Sequence, residues 1–162
     1  MLSQQSRYAL KALIHLATKD PLKPHPIVEI AAACNIPRKF LEAILLDLKF
    51  SGLVHSTRGK AGGYALSRLP KEITFGEIIR ATDGPLALLH CASKKFYRRC
   101  LDCPDEEACA LRRIMTDARD QLSAVLDHRT LADALSFGFD GPVHSAAPPD
   151  NFDKEPSVAQ QG

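Results

Sequence analysis

Four of the five cysteines lie close together in the second half of the chain. Cys91, Cys100, Cys103 and Cys109 fall within nineteen residues. Thiolates are the preferred ligands of iron–sulfur clusters and of structural zinc. In a reducing compartment, such a group binds metal or does redox chemistry more often than it forms structural disulfides. The spacing therefore predicts that the four thiolates converge on one metal centre from an irregular segment, residues 85–109, which we name the cysteine segment.

Four cations, Lys94, Lys95, Arg98 and Arg99, lie between the first two cysteines. We expect their charge to lower the pKa of the thiols and to offset part of the charge of an anionic centre. The residues leave three kinds of centre open: an iron–sulfur cluster with two or four irons, a structural zinc ion, and a thiol switch without metal. The fifth cysteine, Cys34, is predicted to be a small buried apolar residue.

A second group of candidate residues lies in the more basic half of the chain. Residues 1–70 carry ten Lys and Arg against four Asp and Glu, whereas residues 71–162 carry eleven against fifteen, so the net charge of +2 conceals an asymmetry. A basic half indicates a polyanionic partner, of which double-stranded DNA is the obvious example. The candidate DNA-binding residues lie on one predicted helix and one glycine-rich turn: Arg38, Lys39, Glu42, Arg58, Gly59 and Lys60.

These residue types suit the two grooves of DNA. Arg38 and Lys39 begin the predicted helix, at the end that would enter the major groove, and the carboxylate of Glu42 lies one turn further on, where it could accept a hydrogen bond from cytosine N4. Arg58 and Lys60 lie in a turn whose glycines permit close backbone approach. A cation on a thin hairpin suits the narrow minor groove, where negative potential is concentrated.

The pattern of the first half predicts elements that would hold those residues in place. Apolar residues at helical spacing predict helices over residues 7–18, 27–33 and 37–50. Two short runs, residues 53–56 and 64–67, predict the strands of a hairpin. Within the second helix we expect Ile27, Val28, Ile30 and Ala31 to face inward. Two helices joined by a tight turn and followed by a hairpin predict a winged helix-turn-helix domain, so the expected fold class is mainly α with a two-stranded wing.

The second half predicts a different arrangement. A helix over residues 74–82 is followed by the cysteine segment and then by a long helix from about residue 105 to 127. Its apolar residues recur at helical spacing and predict a helix that pairs with its copy in a homodimer. The expected divisions are a DNA-binding domain, the cysteine segment, a dimerisation helix with a short helix capped by Thr130, and a disordered tail: residues 1–84, 85–109, 110–138 and 139–162.

Three stretches resemble one known family. Residues 6–13, 36–46 and 58–66 are similar to the IscR/NsrR/RirA family of bacterial regulators, and the most specific motif is the Arg-Gly-x-x-Gly-Gly-Tyr-x-Leu sequence that begins at Arg58. The resemblance covers about residues 1–136. It implies a homodimer of winged-helix subunits, an iron–sulfur cluster near the dimerisation helix, and binding to dyad-symmetric promoter sites.

The chain departs from this family in its cluster ligands. Members show three cysteines in such a loop, and Cys103 and Cys109 match the last pair. The further ligand of some members is an acidic residue near the N-terminus or a histidine after the last cysteine, but here these positions hold Arg7 and Arg112. This departure favours a centre held by four cysteines.

The sequence predicts a regulator in the cytoplasm. It contains no apolar run of the roughly 20 residues that span a bilayer, and its N-terminus does not resemble a secretory signal. It also lacks a recognisable nucleotide loop, nucleophile–base pair or paired carboxylates, so we expect no enzymatic activity. The expected function is a repressor whose operator affinity depends on an iron–sulfur cluster that senses iron, redox state or nitric oxide. The alternative is a zinc-stapled or thiol-switch regulator without such a cluster.

Overall fold

The computed structural model describes residues 2–59 and 61–137, so Lys60 and the expected tail, residues 139–162, lie outside the described residues. Within that part, six α-helices and one two-stranded antiparallel sheet follow the predicted order. The elements are α1 (Gln4–Thr18), α2 (Ile27–Cys34), α3 (Arg38–Phe50), β1 (Val54–Thr57), β2 (Gly63–Leu66), α4 (Phe75–Thr82), α5 (Ala110–Leu126) and α6 (Leu131–Ser136). Two short 3₁₀ turns lie at Pro70–Glu72 and His90–Ala92.

Capping residues decide where two of the helices begin. Helix α1 begins three residues before the predicted start because the Ser3 side chain accepts a hydrogen bond from the backbone N–H of Ser6. Helix α5 begins later than predicted. The carboxylate of Asp105 accepts hydrogen bonds from the backbone of Glu107 and Ala108, which favours a turn, and Cys109 occupies the N-cap position of α5.

One apolar core joins the N-terminal helices to the end of the described chain. Helices α1, α2 and α3 pack together with α4, and α6 packs against α1. The backbone N–H of Leu131 donates to the carbonyl of Ile73 at 3.0 Å, and both side chains are fully buried. The inward-facing prediction for α2 is wrong for Val28, which is 58% exposed, because the buried face of this helix passes through Ile30, Ala31 and Cys34.

Helix α5 differs from the others because none of its residues is buried in the single chain. Its apolar residues recur at helical spacing as predicted, yet four of them are exposed; we name these the apolar stripe: Leu111, Ile114, Leu122 and Val125. Among residues 2–59 and 61–137, no helix combines the length and the apolar character needed to cross a membrane.

The hairpin, which we name the wing (residues 54–66), is tied to the loop before α2. Val54 pairs with Leu66, and Thr57 pairs with Gly63 at the outer end. The backbones of His25 and Tyr64 exchange two hydrogen bonds, of 2.8 and 2.9 Å. A Cβ added at Gly63 would collide with the backbone carbonyl of His25. The wing therefore requires a residue without a side chain at this position.

Replacing Gly63 with alanine tests this close approach. We expect Gly63→Ala to lower the free energy of unfolding by about 1–3 kcal/mol, the usual cost of an extra methyl group in a closely packed site. Gly52→Asn is the matched control. Gly52 has a φ of +73°, and no atom lies within 4 Å of the Cβ position, so asparagine should be tolerated there. Urea denaturation measures both variants, and an unchanged midpoint for Gly63→Ala would contradict the prediction.

Candidate DNA interface and cysteine site

The turn between α2 and α3 is set by backbone geometry. Asn35 has a φ of 51° and is the only described residue other than glycine with a positive φ. Asparagine tolerates this left-handed conformation better than most residues, which ends α2 sharply. The N–H of Ile36 then donates to the carbonyl of Ala31 at 3.0 Å. Pro37 occupies the N-cap of α3, so the new helix starts at once in another direction.

Helix α3 presents its candidate residues on the face opposite its core contacts. Arg38, Lys39 and Glu42 are exposed at its N-terminal end. The Arg38 Nε donates to the Glu42 Oε1 at 2.8 Å, which aligns the guanidinium along the helix. The carboxylate predicted to accept from a base therefore already accepts from Arg38. The buried face consists of four residues at helical spacing: Leu41, Ile44, Leu45 and Leu48.

The tip of the wing, which follows α3 in the chain, carries Arg58 and Gly59. Gly59 has a φ of +112°, a conformation that favours glycine. Lys60, the third predicted residue of the tip, lies outside the described residues. The Lys49 Nζ donates to the Ser56 Oγ at 2.8 Å and so connects α3 to β1. Lys49 was missed by the sequence analysis because a single lysine at the end of a helix gives no signal of a contact across the turn.

The cysteine segment holds its thiols in two pairs. The Cys91 and Cys100 thiols lie close enough to affect each other's ionisation, and so do those of Cys103 and Cys109. Among the described residues, no group of three or more His, Cys, Asp or Glu is arranged to hold a metal ion. In this arrangement the four thiols do not surround one point, and their role as the four ligands of one metal centre stays a prediction. The four cysteines occupy residues 85–109 as expected, but two by two.

Local backbone contacts position the thiols of each pair. Cys91 is buried in the 3₁₀ turn at His90–Ala92. At the other end of the segment, the Cys109 Sγ caps α5 by accepting from the backbone N–H of Arg112 at 3.5 Å. The Cys103 thiol donates to the carbonyl of Asp105 at 3.3 Å. Each pair is thus held by the secondary structure next to it.

The pKa values of two of these thiols, Cys100 and Cys103, shift in the direction opposite to the prediction. The hydrogen bond with Cys91 is the main cause that raises the pKa of the Cys100 thiol. Burial, followed by the hydrogen bond with Cys109, raises the pKa of Cys103. The expected lowering by neighbouring cations is therefore wrong for both residues. Ionisation of both members of a pair would place two negative sulfur atoms side by side, so one of the two thiols keeps its proton to a higher pH.

Two of the nearby cations contact groups other than the thiols. Lys94 pairs with Asp120 of α5 at 3.1 Å. Arg99 lies 3.9 Å from the Glu106 carboxylate, and its Nη2 donates to the carbonyl of Pro104 at 3.4 Å. Proximity in sequence therefore does not bring these charges to the sulfur atoms.

Two arginines of α5 hold the buried cysteine turn. The Arg112 Nε donates to the carbonyl of Cys91 at 3.1 Å, and the Arg119 guanidinium donates to the carbonyl of Ala92. The Arg119 side chain is only 11% exposed. Sequence analysis gave neither arginine this role, because the contacts span 21 and 27 residues.

Glu106 is a further residue that the sequence analysis missed. The Tyr97 hydroxyl donates to its Oε2 at 2.5 Å, whereas its Oε1 is buried without a hydrogen-bond partner. Arg99 and Arg112 each lie 3.9 Å from this carboxylate. The acidic group contributes to the negative potential around Cys103. It is the one carboxylate in this segment with an unsatisfied buried oxygen among the residues that the structure describes.

Comparison with known proteins identifies the family. The model of the Rrf2 family, described as an iron-dependent transcriptional regulator, matches residues 2–136. The chain belongs to the Rrf2 family. It is 41% identical over 141 residues to an rrf2-like HTH-type transcriptional regulator of Rhodobacter capsulatus, a match that covers 85% of this chain and 94% of that protein.

Solved structures of Rrf2 regulators have the same fold. The structure of CymR, the global cysteine regulator of B. subtilis, is 34% identical, with a TM-score of 0.69 over 85% of this chain and 97% of that one. T. potens IscR is 28% identical, with a TM-score of 0.65 over 85% and 87% of the two chains. These matches confirm the predicted family resemblance and the winged-helix fold. An Rrf2 protein is a DNA-binding transcriptional regulator and not an enzyme, as the sequence predicted.

The rate at which the fifth cysteine, Cys34, is alkylated tests how well the structure describes the surroundings of the thiols. Burial raises the pKa of Cys34 to about 11. We therefore expect that at pH 8 about one in a thousand Cys34 side chains is a thiolate, the form that reacts with alkylating agents. With iodoacetamide, the partly exposed Cys100, Cys103 and Cys109 should react well before Cys34, as measured by mass spectrometry of peptides.

The same labelling in urea is the control, because all five cysteines should then react alike. Labelling of Cys34 in the native protein at the rate of Cys103 would show that the α2–α3 turn opens readily and would contradict this description of the turn.

Proposed function

We propose that the protein is a repressor that binds double-stranded DNA as a homodimer through α3 and the wing, and that an iron–sulfur cluster on the cysteine segment controls its operator affinity. The observation that carries the proposal is the exposed cationic N-terminal end of α3. Near the other end of the same helix, the hydrogen bond between Lys49 and Ser56 joins α3 to the wing. The proposed DNA-binding residues are those of the two elements: Arg38, Lys39, Glu42, Arg58, Gly59 and Lys60.

Helix α3 and the wing would each contact a different groove of the DNA. A major groove admits one α-helix, and the N-terminal end of α3 offers Arg38 and Lys39 to base edges and phosphates. Glu42, while it accepts from Arg38, orients that guanidinium and remains available to a cytosine amine. Arg58, at the tip of a thin hairpin, suits the adjacent minor groove.

A second copy of the chain would complete the DNA-binding unit. The apolar stripe of α5 is exposed in the single chain, although such residues are normally covered. Pairing of two α5 helices through the stripe would remove it from water and fix the spacing of the two α3 helices. Dyad-symmetric half-sites lie about 34 Å apart, one turn of DNA, so that spacing determines affinity.

The cysteine segment fits an iron–sulfur cluster in its donor chemistry. Cys91, Cys100, Cys103 and Cys109 supply the four thiolates that a two-iron or a four-iron cluster needs. Their pairing favours the two-iron form, because in it each iron takes two protein thiolates. A zinc ion would require all four sulfurs around one atom. Bound there, a cluster would supply a centre that iron limitation, oxidants or nitric oxide alter.

The contacts of α5 give the cluster site a route to the DNA-binding elements. Arg112 and Arg119 hold the carbonyls of Cys91 and Ala92, while Arg80 of α4 holds Asp127 at the other end of α5 with hydrogen bonds of 2.5 and 2.9 Å. Rearrangement of the cysteine segment would therefore act on the start of α5, and so on the distance between the two α3 helices.

A thiol switch without metal is the second candidate. It is favoured by the closeness of the thiols within each pair and by the likeness to Staphylococcus aureus CymR, a protein with a solved oxidised form. In this alternative, hydrogen peroxide oxidises one pair of thiols. One sulfur–sulfur bond forms, and the two thiol protons and two electrons reduce the peroxide to two molecules of water.

The DNA interface can be tested with a duplex that the protein itself selects from a random-sequence library. Arg58→Gln and Arg38→Gln should each weaken binding about 10- to 100-fold, the usual effect of losing one groove or phosphate contact. The matched control is Lys71→Gln, which removes one positive charge from the Pro70–Glu72 turn instead. Fluorescence anisotropy at one salt concentration measures all three. Equal affinities for the Arg58 variant and the control would refute the role of the wing.

The cluster can be tested by purification without oxygen. We expect a coloured protein with about two irons and two sulfides per chain, and loss of both in Cys91→Ser and Cys103→Ser. Operator affinity of the loaded and the metal-free protein should differ by about fivefold or more, the usual range of coupling between two sites. Cys34→Ser is the matched control and should keep its iron, because Cys34 lies in the core.

A colourless protein without iron contradicts the cluster. If hydrogen peroxide then changes operator affinity and a reductant restores it, the thiol switch accounts for regulation. If neither treatment changes affinity, the cysteine segment has no sensory role.

A further inference from the structure

A cavity of about 400 Å³ lies where the DNA-binding domain meets α5. Its walls come from the end of α4, from residues 84–87, from residues 93–96 of the cysteine segment and from one face of α5. The lining residues that the structure describes include none of the cysteines. The cavity is therefore separate from the thiol pairs, although it shares a segment with them.

The charge of the cavity is positive. Four of its lining residues are cations, and none of those described carries a carboxylate: Arg80, Lys94, Lys95 and Arg119. Two carboxylates behind the wall offset part of this charge. Asp127 pairs with Arg80 at 2.5 Å, and Asp120 pairs with both Arg119 and Lys94, at 2.8 and 3.1 Å. Two carboxylates against four cations leave an excess of positive charge.

Lys95 is the cation that carries this excess most directly. Within the described residues it takes part in no ion pair, whereas the other three cations of the wall each have a carboxylate partner. A lysine whose ammonium is not committed to a protein carboxylate remains available to an anionic ligand. Ser93 and Ser123 add hydroxyl groups to the lining of the cavity.

Four further lining residues are apolar. They are Pro85, Leu86, Ala87 and Phe96. Sites for small molecules are concave, largely apolar and supplied with a few polar groups, and their volumes are about 300–1,000 Å³. We propose that this cavity binds a small organic anion of metabolite size, with its carboxylate or phosphate head towards the cations and its apolar body against Phe96 and Leu86.

The geometry of α5 makes this site compatible with the proposed dimer. Arg119 and Ser123 lie one turn apart on the same face of the helix. The apolar stripe lies about 120° away around the helix, at 100° per residue. A second copy that covers the stripe therefore uses a different face from the one that lines the cavity.

The location of the cavity gives the ligand a structural role. Arg80 extends from α4 and donates to Asp127 and to Ser123 of α5, at 2.9 and 3.2 Å through its Nη2. An anion held by Arg80 and Arg119 would connect the same two elements directly. The bound ligand would thus stabilise one orientation of α5 relative to the DNA-binding domain, which is an input separate from the thiol pairs.

The test uses the full chain with phenyl phosphate as the probe. Ligand-observed NMR and calorimetry should show saturable binding of one molecule per chain, whereas the neutral benzyl alcohol and inorganic phosphate should each bind at least about tenfold more weakly, since each lacks one half of the recognised chemistry. Lys95→Gln removes the uncommitted charge, and Ala87→Phe fills the cavity without changing charge. Each should weaken binding of phenyl phosphate about tenfold.

Arg129→Gln is the matched control, because it removes a cation that does not line the cavity. Failure of phenyl phosphate to saturate the chain at millimolar concentrations overturns the proposal, and so does equal binding to the wild type and both cavity variants. Equal binding of inorganic phosphate overturns the organic part of the assignment. The assay contains neither DNA nor iron, so its failure is distinct from a failure of the proposed operator binding or cluster.

Discussion

Burial of one face of α3 determines what this protein can present to DNA. Four side chains on this face are at most 1% exposed: Leu41, Ile44, Leu45 and Leu48. Each such side chain contributes about 1.5–3 kcal/mol when removed from water. A surface ion pair such as that of Arg38 and Glu42 contributes at most about 1 kcal/mol. The apolar face therefore sets the rotation of α3 about its axis, and the charged groups are exposed as a consequence.

The same difference in magnitude explains which parts of the fold the sequence could predict. The buried faces of α1, α3 and α4 repeat at helical spacing, so the helices and their order followed from the pattern. Helix ends depend on single capping contacts, such as Ser3 at α1, which periodicity does not register. In the short helix α2, apolar residues fill nearly every position, so the pattern could not show that Val28 faces solvent.

The candidate site was less predictable because its arrangement depends on contacts between distant residues. Spacing showed that four thiols share one segment, but it could not show that they form two pairs. The position of Cys91 depends on Arg112, 21 residues away, and that of Cys109 on the start of α5. The thiol pKa shifts likewise follow the nearest groups in space, whereas the prediction relied on cations that are neighbours in sequence.

The attachment of α5 shows why such a protein can be regulated at all. Because α5 buries no residue in the single chain, its orientation depends on a few polar contacts: Arg80 with Asp127 at one end, and Arg112 and Arg119 with the cysteine turn at the other. Where Arg80 contacts Asp127, the carboxylate lies very close to Gly76. Any side chain at position 76 would therefore displace this carboxylate.

Polar contacts of this kind contribute about 0.5–3 kcal/mol each, which is the same range as the coupling free energy between two sites in allosteric proteins. An apolar interface of α5 with the core would contribute several times more, and a ligand or cluster could not shift it. The polar attachment is therefore weak enough for either input to change the position of α5, while the apolar core that fixes α3 remains unaltered. In the proposed dimer, regulation would then act on the spacing of the two α3 helices without disturbing the face that each helix presents.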